Sequence, residues 1–174
     1  MYKNKGFTLI ESLVVLTIMT VTVVMGAPIL NQMQAKNRVK GAANELASAL
    51  KQGRSEALAQ RRNFRMVAIN AAASTNKWGG GWRLVNKLAV VGASDKTYLE
   101  QNKLPPTIKI NATPVLSELV FISTTGMITK TDGSLTDVVF SVCDSSTSMG
   151  VDVSMSRLGR VAVTSHTSSA TCAL

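Results

Sequence analysis

The chain has 174 residues, 45% of them apolar, and a formal charge of +9. That supply of apolar residues suits one membrane helix plus one core, and the length excludes two ordinary domains beside such an anchor. With a single histidine, His166, and no Cys-x-x-Cys spacing, a metal centre is not indicated.

The first thirty residues are the most informative. A short basic leader ends in Lys5-Gly6, and Phe7-Thr8-Leu9-Ile10-Glu11-Ser12 opens an apolar run to Leu30. A secretory signal places its small-residue cleavage site after the apolar region, whereas here Gly6 stands before it. Cutting after Gly6 leaves the apolar run on the mature chain. As a helix, residues 7–30 reach roughly 36 Å, enough for a hydrocarbon core of about 30 Å. Lys3 and Lys5 hold the leader in the cytoplasm and send everything after Leu30 outward.

Glu11 is the single charge in that run. A carboxylate at the centre of a span is unfavourable by about 3 kcal/mol on insertion scales. The helix dipole returns only about 0.3–1 kcal/mol near the first turns. A cation does better: if Phe7 becomes a free amino terminus, the same group on a neighbouring copy attracts Glu11 by about 4 kcal/mol at 4 Å and an effective dielectric of 20. The plainer alternative is an anchor that tolerates one interfacial Glu. Pro28, with Gly26, is expected to kink or locally melt the helix.

The junction Lys5-Gly6-Phe7-Thr8-Leu9-Ile10-Glu11 resembles the class III leader of type IV pilins and type II secretion pseudopilins. The resemblance implies that a prepilin peptidase cuts after Gly6, that Phe7 is N-methylated, and that Glu11 pairs with the new amino terminus during assembly. Pro28 resembles the proline common deep in pilin spans. Residues 1–6 are then the leader and 7–30 the transmembrane and assembly helix.

From Asn31 to about Gln60, apolar Val39, Ala42, Ala43, Leu46, Ala49, Leu50 and Ala57 recur at helical spacing. Residues 31–62 therefore read as an amphipathic continuation of the helix. Lys36, Lys40, Lys51, Arg54 and Arg61 fall within about 80° on a flanking stripe. That stripe is either an ordinary solvated face or a basic ridge for an acidic neighbour or a polyanion.

Residues 63–174 read as a β-rich head. Strand-like runs occupy Phe64 to Asn70, Trp82 to Val85, Thr107 to Ile110, Glu118 to Ile122, Val138 to Cys143, Val151 to Met155 and Val161 to Thr164. Turn signals between them include Gly79-Gly80-Gly81, Pro105-Pro106 and Thr131-Asp132-Gly133-Ser134. The expected fold class is α+β, a long amino-terminal helix packed on an antiparallel sheet. Outside the cytoplasm Cys143 and Cys172 can bridge, which stabilises the head by roughly 3–4 kcal/mol in the chain-entropy model and ties down the Ser/Thr-rich tail. Free thiols are the alternative.

In the head, Trp78-Gly79-Gly80-Gly81-Trp82, Leu119-Val120-Phe121-Ile122-Ser123-Thr124-Thr125-Gly126, Val139-Phe140-Ser141-Val142-Cys143 and Leu158-Gly159-Arg160-Val161 are similar to the GspH/FimT group of minor pilins and pseudopilins, FimU-like chains among them. The resemblance implies a non-enzymatic subunit of a type IV pilus that works with major and minor pilins in a tip or priming complex. Its alternatives are a DNA-binding receptor at the pilus tip for natural transformation (DNA uptake) and a GspH-like pseudopilin of a type II secretion system. Some members of the group bind DNA through a Gly-Arg-x-Arg signature. Here Gly159 and Arg160 match, Ala162 replaces the second Arg, and Arg157 is a partial substitute.

Loss of Lys3 and Lys5 with the leader lowers the side-chain charge from +9 to about +7, which still attracts DNA without sequence preference. Trp78 and Trp82 could stack on exposed bases, or could flank a glycine-rich strand connection with one ring inward. His166 lacks nucleophile-elbow context, the carboxylates form no close acid/base pair, and no Walker loop or dinucleotide fingerprint is present, so neither catalysis nor a cofactor is expected. Replacing Gly6 by a bulky residue such as Val is expected to leave an uncut precursor on intact-mass analysis, and normal processing of that variant would reject the leader reading.

Overall fold

The computed structural model describes residues 8–70, 72, 77–86, 96–102, 104–147 and 149–166, with backbone alone for 23–29. Gly6, Phe7 and Cys172 lie outside the described residues, as does the side chain of Pro28. The chain forms two compact units, Met1–Gln34 and Ala35–Leu174. Helix α1, Leu9–Gln60, contributes to both and continues through the backbone of residues 23–29 without the local melting expected at Gly26 and Pro28.

In the first unit the helix starts where Thr8 caps it. The Glu11 N–H donates to Thr8 Oγ1 at 3.3 Å and the Ser12 N–H to Thr8 O at 3.2 Å. Thr8-x-x-Glu11 is the spacing of a capping box, and the Thr8 hydroxyl supplies its half of that arrangement here. The hydroxyls of Thr17, Thr20 and Thr22 donate to Val14, Thr17 and Ile18 carbonyls at 2.7, 2.8 and 2.8 Å, which satisfies them inside the helix. Leu9, Ile10, Leu13, Val14, Val15, Leu16, Ile18, Met19 and Val21 are all exposed. At 100° per residue they surround the helix rather than forming one stripe. Among the described residues no helix is long and apolar enough to cross a membrane.

The second unit is α+β. Residues 35–60 of α1 share one core with two antiparallel sheets. The first sheet has the order β3-β2-β1-β5-β6, made of β1 Phe64–Ala68, β2 Trp82–Asn86, β3 Lys96–Gln101, β5 Glu118–Phe121 and β6 Ile128–Thr129. The second has the order β4-β7-β8-β9, made of β4 Ile108–Thr113, β7 Val138–Asp144, β8 Met149–Met155 and β9 Val161–Ser165. Alternation decides the faces: Phe64, Met66 and Ala68 of β1 are buried, and Arg65 and Val67 are not. A 3₁₀ turn, Lys77–Gly80, precedes β2. Its Trp78 stacks edge-on against Phe140 of β7 at 5.0 Å and donates its indole N–H to Leu116 O at 2.9 Å, joining the two sheets.

The helix face that meets the sheets carries mostly small residues: Ala42, Ala43, Ala47, Ala49 and Ala57 are buried. A Cβ on Gly53 would stand 2.5 Å from the Phe121 ring. The helix stops at Gln60, with Arg61 in the left-handed region (φ 50°) and the Arg62 N–H donating to Ala57 O at 3.3 Å, the C-terminal cap in which glycine is usual.

Arg38 ties α1 to the end of β7. Its Nε and a terminal nitrogen donate to Asp144 Oδ2 at 3.1 and 3.0 Å, while the Ser146 N–H donates to Oδ1 at 2.9 Å and the Ser146 hydroxyl to the same oxygen. Burial pushes the Asp144 carboxyl up, but the Ser146 and Arg38 hydrogen bonds outweigh it and hold the group below the usual carboxylate range. At the Lys130–Ser134 turn, the Ser134 hydroxyl and N–H donate to Asp132 and lower its carboxyl too.

The Asp144 side chain is 0% exposed and that of Arg38 37%. Arg38→Met, which leaves a buried carboxylate, is expected to destabilise the head by about 2–3 kcal/mol, less than a fully buried pair. Asp144→Asn should cost only about 1 kcal/mol, because an amide oxygen still accepts from Ser146. A group with a lowered folded pKa contributes stability that is present above its unfolded value, about 4, and is lost as pH falls through the folded value. Urea unfolding at several pH values is therefore expected to show the gap between wild type and Asp144→Asn narrowing below about pH 4.

Candidate functional site

Three surfaces bear on function: the apolar start of α1, the β8–β9 turn, and the helix stripe proposed to be a basic ridge. The first is built by sequence-local forces alone. Thr8 fixes the helix origin, which sets Glu11 in its first turn, and the apolar run follows.

The β8–β9 turn is built by close packing. Gly159 has φ +81° and is buried, and a Cβ there would stand 2.5 Å from Gly126 O and 2.6 Å from Arg54 Nε. The Gly159 N–H donates to Ser156 O at 2.7 Å and the Ser156 N–H to Arg160 O at 2.9 Å, which closes the turn. The Arg157 N–H donates to Asp137 Oδ1 at 2.6 Å, and Arg157 O accepts from Ile128 N–H at 3.0 Å, which pins the turn to the other sheet. The side chains of Arg157 and Arg160 remain exposed, and Leu158 between them is 60% exposed. Gly159 is therefore a packing residue, while the two arginines are the groups free to meet an anion.

The basic ridge does not survive intact. Lys36, Lys40 and Lys51 are exposed. Arg54 instead turns into the head, where a terminal nitrogen donates to Gly159 O at 3.3 Å. Arg61 lies past the helix end in a left-handed conformation, off the projected stripe. Trp78 and Trp82 are both buried, so neither ring presents a face to a base. Gly81 (φ +104°) lies against Gln101 O, where any side chain would collide, which explains the glycine run.

Cys143 is buried in β7, and no described cysteine is a free thiol. Its expected partner Cys172 lies outside the described residues. His166 Nδ1 lies 2.7 Å from Asp152 Oδ1, a tie between β9 and β8. Among the described residues no group of three His, Cys, Asp or Glu side chains could hold a metal ion.

The Arg38–Asp144 pair joins positions 106 apart, and nothing local in the sequence marks it. The capping role of Thr8 was missed in the sequence, although the Thr8-Leu9-Ile10-Glu11 spacing carries a signal that could have found it.

A helix leading into an antiparallel β head defines the pilin class of fold. The family described as type II transport protein GspH matches residues 42–159, and the prokaryotic N-terminal methylation motif matches residues 1–27. The chain belongs to the GspH family, whose members are structural components and not enzymes. Among solved structures it is similar to the type IV minor pilin FimU of Pseudomonas aeruginosa, at 23% identity and TM-score 0.60 over 79% of this chain and 94% of that one. It is also similar to EpsH, the minor pseudopilin of the Vibrio cholerae type 2 secretion system, at 14% identity and TM-score 0.54 over 74% and 97%. No curated protein matches the chain.

The turn geometry separates packing from charge. Gly159→Ala is expected to lower head stability by about 1–3 kcal/mol, because the new Cβ meets a backbone oxygen and Arg54 at a left-handed position. Arg157→Ala and Arg160→Ala should each stay within about 0.5 kcal/mol of wild type in the same denaturation assay.

Proposed function

We propose that this chain is a minor pilin of a type IV pilus. In this reading prepilin peptidase removes residues 1–6, Phe7 is N-methylated, and residues 7–30 hold the protein in the inner membrane with its amino terminus cytoplasmic and its head periplasmic. The protein then enters the filament as part of a tip complex of minor pilins that helps initiate assembly with the major pilin. The observation that carries this is the exposed apolar circumference of Leu9 to Val21, interrupted only by Glu11 and hydroxyls. A helix apolar all round requires lipid or other helices about it, and a subunit that passes from membrane to filament meets both. Glu11 then has the amino group of a neighbouring Phe7 as its cation, and Pro28, which lacks a backbone N–H, leaves one carbonyl of the helix without its usual donor in the assembly segment. A Cys143–Cys172 bridge fits the oxidising side of the membrane, and labelling of both thiols without reductant would remove it.

A second reading, DNA binding at the pilus tip, is favoured by the exposure of Arg157 and Arg160. The buried tryptophans and Ala162 limit it to phosphate attraction.

One genetic experiment separates these from a role in secretion. Deletion is expected to abolish surface filaments and leave exoprotein secretion intact, with rescue by the wild-type gene but not by Glu11→Leu. Normal filaments with lost secretion would assign the chain to a secretion pseudopilus. Normal filaments with only DNA uptake lost would assign it to a receptor role.

A further inference from the structure

A groove of about 320 Å³ runs between α1 and the edge of the first sheet, lined by Asn44, Glu45, Ser48, Gln52, Trp82 and Gln101 among others. We propose that this groove receives an extended peptide segment with a basic side chain, supplied by a neighbouring protein and laid along β3.

Three observations converge on that occupant. First, β3 is the outermost strand in its sheet, so its outer backbone edge has no strand neighbour among the described residues. An exposed ladder beside a side-chain pocket is the arrangement by which sheets accept an added strand: backbone groups supply the bonds and alternate side chains enter the pocket. Second, among the described lining residues the one charged group is Glu45, which is exposed, on a chain whose net charge is +9. The groove is thus an acidic spot on a basic molecule, and it selects a cation over an anion. Third, Asn44, Gln52 and Gln101 offer amide donors and acceptors, the chemistry that peptide groups pair with.

The geometry also explains why β3 does not pair at random. Lys96 and Glu100 are exposed along it, and charges on an edge strand discourage unmatched partners. The inference does not depend on whether the filament is a pilus or a pseudopilus, because it rests on the head alone.

The test uses the full chain in nonionic detergent and two dye-labelled hexapeptides of alternating Thr and Val, one carrying two Lys and the other two Glu, followed by fluorescence anisotropy. The Lys peptide is expected to bind saturably and the Glu peptide not to bind. Ser48→Phe, at an exposed lining position, should fill the groove and weaken binding at least about tenfold with no change in melting temperature. Glu45→Gln should weaken it about two- to fivefold at low salt. Absence of binding by either peptide, equal binding of both, or wild-type affinity in a stably folded Ser48→Phe would overturn the proposal. If Ser48→Phe lowers the melting temperature, Glu45→Gln decides: unchanged affinity for the Lys peptide overturns it.

Discussion

Between Ala35 and Ala57 the buried face of α1 is built mainly of alanine and glycine, with Val39, Leu46 and Leu50 as larger exceptions. The missing side-chain volume lets backbone approach sheet. At Gly53 the approach is so close that the Phe121 ring occupies the space a Cβ would need. Position 54 is therefore carried into the head as well, and Arg54 lies between Gly126 and Gly159 where a more distant helix would have left it in solvent. The close approach thus places a charge inside the head, against the glycine of the β8–β9 turn. Toward the other end of this helix segment, Arg38 on Asp144 holds α1 to the second sheet, so both sheets are fastened to one helix.

The two units follow opposite rules. In the first, apolar side chains surround the helix, and the hydroxyls among them are satisfied within it, so the polar atoms of Thr17, Thr20 and Thr22 make no demand on the surroundings. In the second, the apolar side chains face inward and the charges outward, with Trp78 against Phe140 joining the sheets through the core. The same backbone helix is apolar all round in one unit and one-sided in the other, and the sequence pattern alone makes that change.

Most of the strand plan was legible because alternation at period two survives in β1, β4 and β5, and because β7 is a short apolar run buried almost throughout. β3, Lys96–Gln101, was missed because an edge strand needs no buried face and its pattern is largely polar. β6 was missed because two residues carry no period. The expectation of one sheet gave way to two, since strand runs do not state which neighbours they pair with. The basic ridge failed at both ends of one assumption: a helical projection presumes that each side chain stays on the helix and on its own face, and neither holds for Arg54 or Arg61.

What the sequence by itself determined is everything with a local cause: the amino-terminal methylation motif, the apolar run and its lone Glu11, the helix to Gln60, the β-rich head and the family. Each depends on spacing along the chain. The tertiary structure alone decided what depends on distance across it: Arg38 reaching Asp144, Gly159 fitting against Gly126, two tryptophans going inward, and a groove opening beside β3. Those contacts join residues far apart in sequence, and only the packed backbone says how near they come.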